Sequence, residues 1–132
     1  MRSIAVIPAR GGSKRIPRKN IRLFNGKPMI GYAIESAISS GLFSHVLVST
    51  DSPEIREVAL AFGANAPFLR PKQLSDDHTG TTPVVKHALH WVLEQDDHFD
   101  LVCCIYPTVP LLTAESLRAG HALLLANPAL DF

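Results

Sequence analysis

The sequence has little cysteine, and what it has cannot build a framework. Its two cysteines, Cys103 and Cys104, are neighbours in an apolar run of strand character. Successive strand side chains point to opposite faces, so the pair is not expected to close, and no other cysteine can bridge to either. A disulfide scaffold is therefore not expected, and a reducing compartment is. Long apolar runs are also missing. None approaches the roughly eighteen residues that span a bilayer, and the run of about five apolar residues after Met1-Arg2-Ser3 is too short for a secretory signal. A soluble, cytoplasmic protein with no membrane partner is the expectation. A charge excess is lacking too: the formal net charge is +1, which argues against a polycation built for nucleic acid. Repeats and low-complexity linkers are absent, and the single tryptophan, Trp91, reads as a packing residue.

What is present is a core and one concentrated charge. With 46% hydrophobic residues in 132, one domain or part of one can bury roughly two-thirds of its unfolded surface. Five of the thirteen basic residues (Arg10, Lys14, Arg15, Arg18 and Lys19) fall in one short loop that contains no acid. Such a local concentration suits a compact polyanion.

Apolar runs of strand length alternate with segments of helical period, the pattern of a parallel sheet covered by helices. The first strand is read at Ile4 to Pro8, followed by the basic loop and a turn at Asn25-Gly26. Pro28 opens a helix that Gly41 ends. A second strand is read at His45 to Thr50, and Asp51 or Ser52 caps a helix running from Pro53 to Gly63. A short extended piece, Pro67 to Leu69, leads into a polar stretch from Arg70 to Thr82. Pro83 opens a helix with Val84, Val85, Ala88, Leu89, Val92 and Leu93 on one broad face. The apolar strand Leu101 to Ile105 suits the centre of a sheet. Thr113 caps a last helix running to about Ala126. Asn127 to Phe132 read as a turn entering another strand, so a truncated chain is expected: the nucleotide-binding N-terminal part of a larger domain.

In open parallel sheets ligands sit at the carboxyl ends of the strands. Residues 9 to 20, 70 to 82 and 106 to 113 each follow a strand or extended piece, and they can converge on one crevice. Gly11-Gly12 lets backbone N–H groups approach a phosphate with no Cβ in the way. Arg10, Lys14 and Lys19 can neutralise its charge, and an arginine can grip two oxygens at once. The loop is neither a Walker A nor a G-x-G-x-x-G sequence. A solvated basic loop without ligand is the bland alternative.

Ile7-Pro8-Ala9-Arg10-Gly11-Gly12-Ser13-Lys14, followed by Pro17-Arg18-Lys19-Asn20, closely resembles the N-terminal signature of the acylneuraminate cytidylyltransferases. The resemblance continues through Gly26-Lys27-Pro28-Met29-Ile30, Ser49-Thr50-Asp51, Phe68-Leu69-Arg70-Pro71, Leu74-Ser75-Asp76-Asp77 and Tyr106-Pro107-Thr108, and so covers nearly the whole chain. Sialic acid enzymes typically carry Gln-Pro-Thr at the last of these. The Tyr version, with Asp76-Asp77-His78-Thr79-Gly80-Thr81-Thr82-Pro83, is more similar to the pseudaminic acid branch. The resemblance implies a Rossmann-like α/β nucleotidyltransferase fold, with a mainly parallel sheet and helices on both faces. It implies CMP transfer from CTP to the anomeric hydroxyl of a nonulosonic acid, most simply pseudaminic acid, with pyrophosphate released. Sialic acid as acceptor and a catalytically incomplete nucleotide-binding fragment are the alternatives.

By position, the resemblance implies that Arg10 and Lys19 contact the CTP phosphates and act in catalysis. Ala9, Gly11, Gly12, Ser13 and Lys14 complete the phosphate loop, and Asn20, Arg70 and Thr81 hold the cytidine. Tyr106 and Thr108 face the sugar. Family members use Mg²⁺ on a pair of aspartates late in the chain, for which residues 1 to 132 offer no counterpart, so this chain alone is expected to be inactive. They are typically homodimers. Among lesser candidates, His87 and His90 at i, i+3 read as an exposed helical face before a metal pair. Asp76-Asp77 reads as a turn before a Mg²⁺ site. Asp96, Asp97 and Asp100 read as solvated turn residues.

Overall fold

Residues 2–12, 18–76, 79–95, 97–127 and 129 are described by the structure, a computed structural model. Its organising element is strand β1, Ser3–Pro8, in which the first five residues are buried. The strand carries an unbroken aliphatic run, Ile4-Ala5-Val6-Ile7, because both of its faces are covered. It is paired in parallel on one edge with β4, Phe43–Ser49, and on the other with β5, Leu101–Cys104. The sheet order is β4-β1-β5.

Alternation along β1 feeds two cores. Ala5 and Ile7 pack with Ile30, Ala33, Ile34 and Ala37 of helix α1, Met29–Ser40, and with Ile55 and Ala59 of α2, Pro53–Ala61. Ile4 and Val6 face the other way, against Ala88 and Val92 of α3, Thr81–Glu94. Helix α4, Ala114–Ala126, packs on α1 and buries none of its residues completely. The arrangement is the expected α/β one, with helices on both faces of a parallel sheet.

Local chemistry sets the boundaries. Gly41 ends α1 in the left-handed region at φ 70°, where a Cβ is disfavoured, and its N–H donates to the Ile38 carbonyl. Of the two residues read as caps for α2, Ser52 is the one: its hydroxyl accepts from the Ile55 N–H at 3.3 Å. Thr113 caps α4 in the same way through the Ser116 N–H at 3.1 Å. Helices α1 and α2 approach closely at Gly31, where a Cβ would lie 2.8 Å from the Phe62 ring.

Four expectations are corrected. The turn at Asn25-Gly26 is flanked by a small antiparallel hairpin, β2 (Leu23–Phe24) and β3 (Lys27–Pro28). Asn25 at φ 50° and Gly26 at φ 78° give the two-residue turn whose twist matches paired strands. The extended piece read at Pro67 to Leu69 makes its sheet contact earlier, where Asn65 exchanges hydrogen bonds with Val46 and Val48. Strand β5 lies at an edge among the described residues, paired only with β1, and Val102 and Cys104 are exposed. Its apolar character indicated burial, whereas Leu101 and Cys103 on the other face are half-buried. Finally, Leu93 is 51% exposed, turned off the α3 face that Ala88 and Val92 bury.

The amino ends of the strands are tied by ions. The Asp97 carboxylate accepts from Arg2 Nη2 at 2.9 Å and lies 2.6 Å from His45 Nε2. The Arg2 backbone N–H donates to Asp100 at 2.8 Å. Asp97 and Asp100 are thus engaged, where the sequence had suggested solvated turn residues; Asp96 lies outside the described residues. The hydrogen bond from His45 and the one from the His98 N–H hold the Asp97 carboxyl at about 2.

Candidate functional site

The carboxyl end of β4 organises the opposite end of the sheet. Ser49 and Thr50 are fully buried polar residues, and their polar groups are spent on holding two loops. The Ser49 carbonyl accepts from the Ala9 N–H at 2.8 Å and from Arg70 Nη2 at 2.7 Å. The Ser49 hydroxyl accepts from Arg70 Nε at 3.1 Å, and the Thr50 carbonyl accepts from the Arg70 N–H at 2.7 Å. Asp51 then accepts the Gly11 N–H at 2.8 Å. Four consecutive residues, Ser49 to Ser52, therefore fix the start of the basic loop, the Arg70 segment and the first turn of α2. Sequence reasoning gave Ser49 and Thr50 no role; the signals were a polar pair ending an apolar strand and its place in the Ser49-Thr50-Asp51 motif of the family resemblance.

The three polar segments converge. A cleft of about 380 Å³ at the carboxyl ends of the strands is lined by Arg10, Lys19 and Asn20 from the first and by Arg70, Asp76, Thr79 and Thr81 from the second. Tyr106, Pro107 and Thr108 line it from the third. Lys19 opens a single 3-10 turn, Lys19–Ile21, and its side chain is exposed. Asn20 is buried; its Nδ2 donates to the Arg10 carbonyl at 2.8 Å, while its Oδ1 has no protein partner. Thr81 Oγ1 and the Tyr106 hydroxyl lie 3.4 Å apart across the cleft. The amino end of α3 also opens here, preceded by Gly80 and without a side-chain cap, so its first N–H groups remain available to an anion.

Arg70 is almost wholly buried, and its guanidinium is pinned by Ser49 and by the Leu74 carbonyl at 3.2 Å. Burial lowers its pKa, the nearby Asp51 carboxylate raises it in part, and Arg10 lowers it again. Three of its five N–H donors are accounted for by these contacts, leaving donors on both Nη atoms for a ligand.

Within the loop the glycines divide their work. A Cβ on Gly11 would meet the Ser52 Cβ at 2.9 Å, whereas one on Gly12 would meet nothing within 4 Å. Gly11 packs against the start of α2 and gives its N–H to Asp51, so that N–H is not offered to a phosphate. Gly12 has open space beside it for a ligand. Ala9 is fully buried with its N–H committed to Ser49, and supports the loop from beneath. Ser13 and Lys14 lie outside the described residues, as do Asp77 and His78.

The lesser candidates settle into structural places. Asp76 Oδ1 accepts from the Thr79 N–H at 2.7 Å and hydroxyl at 2.6 Å, a turn contact. His87 sits edge-on to Phe68 with ring centroids 4.8 Å apart, and Trp91 packs beside the same ring. Among the described residues no group of three or more His, Cys, Asp or Glu is placed to hold a metal ion. No helix among them is long and apolar enough to cross a membrane. Cys103 and Cys104 are free thiols on opposite faces, and burial pushes both pKa values up.

The cleft thus brings together Arg10, Lys19, a buried arginine and an open helix terminus, and known proteins carry a similar chain. The family model described as cytidylyltransferase matches residues 4–130. A pseudaminic acid cytidylyltransferase of Campylobacter jejuni is 50% identical over 127 residues, covering 96% of this chain and 55% of that protein. A CMP-N,N'-diacetyllegionaminic acid synthase of Legionella pneumophila is 42% identical over 118 residues, 89% of this chain and 51% of that protein. Among solved structures, a CMP:2-keto-3-deoxy-manno-octonic acid synthetase complexed with CTP superposes with a TM-score of 0.81 at 28% identity, over 98% of this chain and 50% of that one. The chain spans about half the length of the curated relatives it matches. With a family model matched from strand β1 to beyond helix α4, the chain belongs to the cytidylyltransferase family.

Proposed function

We propose that the cleft binds CTP and that the protein transfers CMP to the anomeric hydroxyl of a nonulosonic acid, pseudaminic acid, releasing pyrophosphate. One observation carries this reading: Arg10, Lys19 and Arg70 share a single cleft with Tyr106 and Thr108 at the carboxyl end of a parallel sheet. The relatives' names supply the acceptor class, since they include enzymes named for pseudaminic and diacetyllegionaminic acids.

In the proposed reaction the oxygen of the sugar's anomeric hydroxyl attacks the α-phosphorus of CTP and its proton passes to solvent. A new O–P bond forms as the bond to the β-phosphate oxygen breaks. Such a transfer needs positioning and charge neutralisation more than covalent catalysis. Arg10 and Lys19 take up charge gathering on the departing pyrophosphate, with Lys14 and Ser13 of the same loop assigned to that role by family resemblance. Gly12 lets the phosphates approach the backbone. The unpartnered Oδ1 of Asn20 suits a donor on the cytidine, and Arg70 and Thr81 complete the nucleoside end. Tyr106 and Thr108 face the acceptor. Mg²⁺ is the expected cofactor of this chemistry, where it would offset phosphate charge; among the described residues no group of three or more His, Cys, Asp or Glu is gathered to hold it. A cytoplasmic location, from the cysteine usage and the short apolar runs, and a homodimer, from the family resemblance, belong to the same proposal.

Calorimetry with CTP and ATP, followed by pyrophosphate release with pseudaminic, legionaminic and sialic acids, tests the reading. Selective CTP binding with release confined to pseudaminic acid is expected. Equal affinity for ATP, or release only with sialic acid, overturns the nucleotide or the acceptor assignment respectively.

A further inference from the structure

Asp51 is a carboxylate that holds the backbone of the basic loop directly, whereas Glu54 pairs with the side chain of Arg18. It follows β4, and its Oδ1 takes the Gly11 N–H at 2.8 Å. The helix-capping role open to a residue at this place belongs instead to its neighbour Ser52. Nor is Asp51 a solvated surface acid: it is half-buried and lies within electrostatic range of the Arg70 guanidinium.

We propose that Asp51 is a positioning residue for the nucleotide-phosphate loop, holding Gly11 in place so that Arg10 and Gly12 present themselves to the ligand. The inference rests on the nucleotide reading of the cleft. Its geometry has three fastenings on one short stretch of backbone. The Ala9 N–H is held by Ser49, the Arg10 carbonyl by Asn20, and the Gly11 N–H by Asp51. The first two fix the base of the loop. The Asp51 contact is the last one before Gly12, where the backbone meets open space. Remove it, and the glycine pair is free to sample the many conformations open to residues without a Cβ. A ligand would then have to order the loop as it binds.

The carboxylate also has an electrostatic part. Two cations, Arg10 and Arg70, border the same cleft and repel one another, and Asp51 stands close enough to oppose that repulsion. Its Oδ1 lies 3.5 Å from where a Cβ on Gly11 would stand, an ordinary contact, and it is the Ser52 Cβ at 2.9 Å that excludes a side chain there.

The test compares the full chain with Asp51→Ala and Asp51→Asn, after circular dichroism has confirmed that each folds. CTP affinity is read by calorimetry and exchange of the Gly11 amide proton by NMR. Asp51→Ala should bind CTP about tenfold more weakly, the scale of one charge-assisted hydrogen bond. Its Gly11 amide should exchange faster. Asp51→Asn keeps a carbonyl oxygen in the same place and should recover most of both properties, to within about threefold of the parent. A merely structural aspartate would not give this paired rescue. Parent-like CTP affinity and Gly11 exchange in Asp51→Ala overturn the inference, and so does an Asp51→Asn variant as impaired as the alanine. If the parent itself does not bind CTP, the nucleotide reading falls, and Gly11 exchange still decides whether Asp51 holds the loop.

Discussion

Ser49 and Arg70 are joined twice: the Ser49 carbonyl accepts from Nη2 at 2.7 Å and its hydroxyl from Nε at 3.1 Å. Since the same carbonyl also takes the Ala9 N–H, the basic loop and the Arg70 segment hang from one peptide group. Arg70 is therefore both part of the cleft wall and part of what holds the wall up. Arg70→Ala should erode the preference for CTP over ATP, because a base edge left without its partner loses discrimination. It should also destabilise the fold by about 1–3 kcal/mol, since buried acceptors are stranded. Nucleotide competition and thermal unfolding on the same sample separate the two effects. Full CTP selectivity with reduced stability would assign Arg70 a structural role alone.

Arg10 and Lys19 are a simpler case, because their side chains are less enclosed. Arg10→Ala or Lys19→Ala should each weaken CTP binding by about 1.5–3 kcal/mol, the usual worth of a hydrogen bond to a charged group. Calorimetry measures it directly, and unchanged affinity in both variants would remove the loop from the binding site.

The ionic tie at the other end of the sheet gives a pH dependence. The Asp97 carboxyl titrates at about 2, below its ordinary value. Folding is therefore favoured by its ionised form above the ordinary carboxylate range, and this contribution is lost as the pH falls through that range toward 2. Denaturant midpoints measured from pH 6 to pH 2 should decline less steeply in Asp97→Asn than in the parent. Parallel curves would show that the contacts with His45 and Arg2 contribute nothing to acid stability.

Gly31 is a packing test. A methyl group there meets the Phe62 ring at 2.8 Å, so Gly31→Ala should cost about 1–3 kcal/mol through overpacking between α1 and α2. Trimming the ring in Gly31→Ala/Phe62→Leu should return part of that loss. Urea unfolding of the single and double variants reads out the difference.

Much of this was legible from residue order because hydrophobic period and turn chemistry are local. The aliphatic run of β1, the glycine ending α1 and the threonine capping α4 each state their own structure. The hairpin strands β2 and β3 were not legible, since two residues carry no period and only the Asn25-Gly26 turn between them left a mark. Strand β5 misled in another way: apolarity reports burial of a side chain and says nothing about which strands lie beside it. Likewise Asp51 and Ser52 are equally good cap types, and only backbone geometry decides between them. In the site, charge density drew attention to Arg10 and Lys19. Ser49 stayed hidden because a small polar residue ending a strand looks the same whether it supports one loop or two.

The central place of β1 also fixes when its own pairing can be completed. One edge of this strand is closed by β4, some forty residues further on, but the other waits for β5, nearly a hundred residues away in sequence. On a ribosome adding roughly 5–20 residues per second, β1 stands with one bare edge for several seconds after its first partner has emerged. Throughout that interval an aliphatic strand with unsatisfied backbone groups is open to pairing with another chain. Slow, non-local closure of this kind leaves the nascent protein most vulnerable to aggregation before Leu101 appears.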